Sequence, residues 1–111
     1  MSDKLGDQIR IRHVIDAISE IENYTKDSSY KDFSENSMMQ NACIRQLGII
    51  GEACNRISDN IKAENTDIEW KAIIGLRNIV IHQYFGVDIH VIWEVIELEL
   101  PKLKRQMVNL I

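Results

Sequence analysis

Proline and glycine are scarce in this chain: one Pro and five Gly in 111 residues. A sequence so poor in turn-formers cannot make the many tight reversals of an all-β fold. Cysteine is nearly as rare. Cys43 and Cys54 stand eleven positions apart, about 16 Å along a helix axis, too far for a disulfide. They read as small apolar residues of a reducing, cytoplasmic protein. No run approaches the roughly 18 apolar residues of a membrane span, and Met1-Ser2-Asp3-Lys4 has no basic region leading into an apolar one, so neither insertion nor secretion is expected. An excess of positive charge is missing too. The 13 Lys and Arg against 17 Asp and Glu give a net charge of −4, which argues against a general nucleic-acid-binding surface while leaving room for a local basic cleft. Three dispersed His and two Cys in no CxxC or HxxxH arrangement predict no metal site. No Gly-rich phosphate loop and no Gly-x-Ser-x-Gly elbow appears. No cofactor is expected.

What is present is apolar residues at helical spacing. With 45% hydrophobic and 27% charged residues, the composition is that of an ordinary globular protein, and the length predicts one domain over residues 1–111. A first helix is expected from about Asp7 to Lys26, with Ile11, Val14, Ile15, Ile18 and Ile21 on one stripe. His13 lies off that stripe and reads as a surface or interface histidine. Lys26 to Asn36 is a polar connection with one helical turn, pinned by Tyr30 and Phe33. Ser37 to Gln40 has the form of a capping box opening a second helix from Met38 to about Ile61. Within it Gly48 and Gly51 predict close approach of another backbone. Glu52 beside them is either a solvated charge or the partner of a base such as Arg77.

Thr66 to Glu69 forms a second capping box, starting a third helix near Asp67, with Trp70 as a core anchor. Asp88 caps a fourth that contains Pro101 and is expected to kink or split there. Four long helices with short connections, no internal repeat and no alternating pattern predict an all-α, up-and-down helical bundle.

The third helix holds the strongest signal. Ile73, Ile74, Leu76, Ile79, Val80 and Ile81 project in every direction at 100° per residue, which predicts burial on more than one side and contact with a second copy, hence a symmetric homodimer. Yet the same stretch carries Arg77, Asn78 and His82, and polar groups are costly in such surroundings unless paired. Asn78 and His82 share a face at i, i+4. Arg77 and His82 lie about 140° apart on the wheel, so they converge only near the helix end or with help from a second chain. Gly86 reads as the residue just past that end. His82 is the residue of the three whose unperturbed pKa suits proton transfer near neutrality, and the Arg77 guanidinium is a planar fork of donors suited to phosphate. On the residues alone a structural role, with Arg77 paired to Glu52 or Glu69, competes with a catalytic one.

The run Arg77-Asn78-Ile79-Val80-Ile81-His82-Gln83-Tyr84 resembles the R-N-x-x-x-H-x-Y pattern of the HEPN superfamily, and within it the HepT-like toxins. Ile49-Ile50-Gly51-Glu52-Ala53, the lead-in from Trp70 to Leu76, the exit Tyr84-Phe85-Gly86-Val87-Asp88 and Leu98-Glu99-Leu100-Pro101-Lys102-Leu103 resemble that family as well, so the likeness covers essentially the whole chain. It implies a HEPN-like homodimer that cleaves RNA without a metal, with Arg77, Asn78 and His82 catalytic. It also implies a partner, an MntA-like nucleotidyltransferase antitoxin that silences the toxin by attaching AMP to Tyr84. Two alternatives stand beside this. Tyr84 packs next to Phe85 with its hydroxyl at the rim; or the chain is a non-catalytic HEPN module that binds nucleotide or serves as the helical partner subunit of a nucleotidyltransferase.

Overall fold

A computed structural model describes the backbone of residues 4–82, Gly86 and 88–111, and the side chains of these residues except Val80, Ile81 and His82. All regular structure among the described residues is helical: α1 (Lys4–Thr25), α2 (Tyr30–Ser34), α3 (Ser37–Arg56), α4 (Asp59–Glu64), α5 (Trp70–Ile74), α6 (Arg77–His82), α7 (Ile89–Glu94) and α8 (Leu100–Val108). The all-α bundle expected from the spacing is what forms. Its axis is α3, which packs against α1 on one side and against α5 and α6 on another, while α8 lies along α1.

The stripe on α1 behaves as the period requires: Ile11, Val14, Ile18 and Ile21 are fully buried. They meet Cys43, Leu47, Ile50 and Cys54 of α3, and Ile92, Leu100, Leu103 and Met107 from the C-terminal helices, in one contiguous core. Two hydrogen-bonded contacts fasten α1 at its start. The buried Asp7 carboxylate accepts the Ser58 N–H at 2.9 Å and the Ser58 hydroxyl at 2.7 Å, and Gln8 Nε2 donates to the Leu110 carbonyl. At the other end Asp27 takes φ 60°, a left-handed conformation that Asp tolerates better than most side chains.

Local chemistry sets the boundaries, and here the structure departs from expectation. Ser29, with Asp32 reciprocating, makes a full capping box for α2, and Phe33 is driven to complete burial beside Trp93, ring centroids 5.1 Å apart. Tyr30 is more exposed but its ring still packs on α7, 6.2 Å from Trp93 and 5.4 Å from His90. The cap of α3 is Asn36, whose Oδ1 accepts the Met39 N–H at 2.9 Å, and Ser37 is already helical. The second helix stops at Arg56, short of Ile61. Ser58 is extended, caps α4 through the Ile61 N–H, and gives its own hydroxyl to Asp7, so side-chain hydrogen bonds outcompete continuation of the helix.

The third helix is two pieces. Thr66 to Glu69 makes no capping box, and α5 starts without a side-chain cap. Trp70 instead anchors through Nε1 to the Asn65 carbonyl at 3.0 Å. After one and a half turns the chain tightens at Gly75-Leu76, with Leu76 N–H bonded to Ile73 O, before α6 begins.

Asp88 does cap α7, its Oδ1 accepting the His90 and Val91 amides. The irregularity expected at Pro101 falls one turn earlier, as a π-helical stretch over Val95–Glu99 closed by Leu100 N–H to Val95 O. Proline removes the donor that would meet the carbonyl four residues back and its ring crowds that carbonyl. Widening the preceding turn relieves the clash without breaking the helix. Pro101 itself sits in the first turn of α8.

Candidate functional site

The contact between α3 and α6 has almost no side-chain padding. A Cβ on the buried Gly51 would lie 2.6 Å from the Arg77 backbone nitrogen, 3.0 Å from the Ile74 carbonyl oxygen and 3.2 Å from Arg77 Cβ. Glycine at 51 is what lets the head of α6 rest directly on α3, the close approach that the sequence predicts.

One residue further along α3, Glu52 points to the same place. Its Oε2 lies 3.5 Å from Arg77 Nη1, and its Oε1 accepts from Arg56 Nε at 3.1 Å, one turn on along α3. The hydrogen bond from Arg56, and then the charges of Arg56 and Arg77, hold the Glu52 carboxyl below the ordinary carboxylate range against the opposing effect of partial burial. Glu52 is therefore both things the sequence left open: a partner of Arg77 and a solvated charge, its side chain 48% exposed and that of Arg77 42%. An exposed ion pair of this kind is weak, so an incoming phosphate can take the guanidinium from the carboxylate.

Arg77 is thus not buried. It opens α6 instead of lying inside a longer helix, and Asn78 beside it is exposed too. Ile73, Ile74, Leu76 and Ile79 pack only partly against the core, so the helix expected to be buried on every side presents a polar edge to solvent in the single chain. His82 is the last described residue of α6, so Arg77, Asn78 and His82 share one helix. The His82 side chain and all of Tyr84 lie outside the described residues. Gly86 has φ +84°, a left-handed conformation that glycine adopts without steric cost; the expected helix end before it falls on residues outside the described ones.

The sequence reading missed Arg56 as the stronger partner of Glu52. Its signal was there, since Glu52 and Arg56 are i, i+4 with the acid first. Beside α5 lies an apolar cavity of about 210 Å³, lined by Ile73, Leu76 and Leu103, with three carboxylates, Asp67, Glu69 and Glu99, against the one cation Lys102. That excess of negative charge is unsuited to phosphate. Among the described residues no group of three or more His, Cys, Asp or Glu is placed to hold a metal ion, and no helix is long and apolar enough to cross a membrane.

Comparison with known proteins agrees with the motif. The family model described as "Ribonuclease HepT-like" matches residues 14–110. A "Putative RNase MJ1380" of Methanocaldococcus jannaschii is 36% identical over 94 residues, 85% of this chain and 86% of that protein. A "Probable ribonuclease HepT" of Thermococcus cleftensis is likewise 36% identical over 94 residues, with the same coverage of each chain. The "Gamma-glutamylcyclotransferase and putative RNase MJ0434", also of M. jannaschii, is 37% identical over 103 residues, and there this chain spans only 46% of the relative's length. No solved structure matches at a significant level.

Proposed function

The chain belongs to the HepT-like ribonuclease family, and from that premise we propose that it is a metal-independent RNA endonuclease, the toxin of a toxin–antitoxin pair. The observation that carries the reading is the exposed Arg77 guanidinium at the head of the helix that also holds His82. His82 takes the proton from a ribose 2′-hydroxyl, and the 2′-oxygen attacks the adjacent phosphorus. The bond to the 5′-oxygen breaks, that oxygen is protonated, and a 2′,3′-cyclic phosphate remains. Arg77 leaves Glu52 to neutralise the charge that builds on the non-bridging oxygens, where a planar pair of donors is most effective. Asn78 orients the phosphate or the imidazole.

The protein acts as a homodimer in this reading, with the apolar side of α6 against its copy and two Arg77/His82 sets meeting near the two-fold axis. A cognate nucleotidyltransferase of the MntA-like kind silences it by transferring AMP to Tyr84. The phosphate so added competes with the RNA phosphate for Arg77.

A second reading has support of its own. The net charge of −4 and the engagement of Arg77 by Glu52 also suit a non-catalytic module that partners a nucleotidyltransferase. RNA cleavage in excess EDTA separates the two. Wild type should leave 2′,3′-cyclic ends, and His82→Ala and Arg77→Ala should lose at least about a hundredfold in rate, the usual size of a general-base or electrostatic contribution. Wild type of confirmed unmodified mass that cuts no RNA would decide for the module.

A further inference from the structure

On α3, residues 49, 52, 53 and 56 recur at the spacing of one helical face, and on α1 residues 6, 9, 10 and 13 do the same. These two faces wall an open groove of about 510 Å³. Its floor is Ala53, small and buried, and its sides are the partly exposed, apolar Ile9 and Ile49. Three basic side chains converge on it, Arg10 and His13 from α1 and Arg56 from α3. In a chain of net charge −4 this gathers two arginines and a histidine on one face. Among the described residues lining the groove, Glu52 is the one carboxylate, and it is held by Arg56 and Arg77. Asp7 lies behind Arg10, its Oδ1 3.9 Å from Nη1. Its two strong hydrogen bonds, however, come from Ser58, so the Arg10 fork keeps donors for an external anion.

The groove also leads somewhere. Glu52 in its wall touches Arg56 within the groove and Arg77 at the head of α6, so the groove adjoins the candidate cleavage centre through this one side chain. From residue 49 to 56 it runs about 10 Å along α3, room for one or two nucleotides of one strand and not for a duplex.

We propose that this α1–α3 groove is the subsite for the sugar–phosphate backbone of single-stranded RNA. Arg10, His13 and Arg56 hold the phosphates flanking the one at Arg77, and Ile9 and Ile49 pack against sugar and base. The proposal rests on the ribonuclease reading for its direction but is tested independently of cleavage. It accounts for how a chain that is acidic overall binds a polyanion: the bases are gathered along one track, where backbone contacts supply sequence-independent affinity.

The test is fluorescence anisotropy with a short, labelled 2′-O-methyl RNA, which lacks the attacking hydroxyl, titrated over a range of salt. The Arg10→Gln/His13→Gln double variant changes two groove side chains of α1 and leaves Arg77, Asn78 and His82 in place, and its circular dichroism checks the fold. It should bind about tenfold more weakly, and its salt dependence should be shallower by roughly 0.7 for each phosphate contact removed. Arg10→Lys, which keeps the charge, should recover most of the affinity. Equal affinity and equal salt slope in wild type and double variant would overturn the subsite, as would wild type that does not bind the probe. So would a changed sedimentation coefficient with unchanged RNA binding, the mark of a protein-contact surface instead. Wild type that binds the probe through these residues and yet cuts no RNA would remove the ribonuclease reading and leave the subsite standing.

Discussion

Gly51 and Glu52 are neighbours in sequence and do different work on the same arginine: one sets where its backbone lies, the other where its head rests. Gly51→Ala inserts a methyl group against the Arg77 amide and the Ile74 carbonyl, both backbone, so neither yields by a rotamer change. Overpacking of this kind costs about 1–3 kcal/mol, and urea unfolding should show it, together with reduced RNA cleavage although no catalytic group has been altered. Glu52 is testable by titration. Its carboxyl is held below the usual range first by Arg56, so a carbon-detected titration should find Arg56→Gln raising its pKa more than Arg77→Gln does. A depressed carboxylate pKa means that the contact is intact above the unfolded-state value of 4.5 and lost as the pH falls through the lower folded value. Arg77 is therefore freed in acid. The glycine's role was readable in the sequence, because two glycines inside an apolar helix weaken it unless a second backbone comes close enough to need the space. The role of Glu52 was open there, since a single sequence shows neither which turn faces Arg77 nor how wet that place is.

At the scale of the helix, apolar periodicity located the long elements and local hydrogen bonding fixed their ends. The stripes of α1 and α3 were visible because burial on one side demands a regular spacing, and Asp88 was visible as a cap because its side chain has amides to serve. The break at Gly75-Leu76 was hidden: a largely apolar run from Ile73 to Ile81 gives no sign that the chain tightens for one turn within it. The same break puts Arg77 at a helix start, exposed in the single chain. Caps were displaced by one residue where two candidates adjoined. Asn36, not Ser37, does the capping, so Asn36→Ala should lower stability by about 1 kcal/mol while Ser37→Ala leaves the thermal midpoint nearly unchanged. Equal losses from the two substitutions would show that the cap is shared.

Across the whole molecule, the core rests on residues that hide a chemical liability. Cys43 and Cys54 are fully buried among isoleucines and leucines, and burial pushes their thiols up, to about 11 and about 12. Both should resist a thiol reagent at about pH 8 in the native protein and react together on unfolding. A raised pKa means that the folded state keeps a proton the unfolded state has lost. The stability this represents is whole below the unfolded-state value of 9.0 and drains away as the pH climbs toward about 11 and then about 12. Melting temperatures measured from about pH 8 to about pH 11 should fall accordingly, and the Cys43→Ala/Cys54→Ala variant, although less stable at the lower pH, should fall less steeply. That both cysteines are apolar packing was evident from their spacing.

The bare contact at Gly51 has a mechanical meaning. Two backbones that touch with no side chain between them meet at a hard stop, on the steep repulsive wall of the van der Waals potential. Salt and acid weaken the hold of Glu52 on the guanidinium, but neither alters the size of an atom. The anchorage of Arg77 is therefore divided between a part that solution conditions adjust and a part they cannot reach, so the head can swing toward a substrate while its root keeps its register.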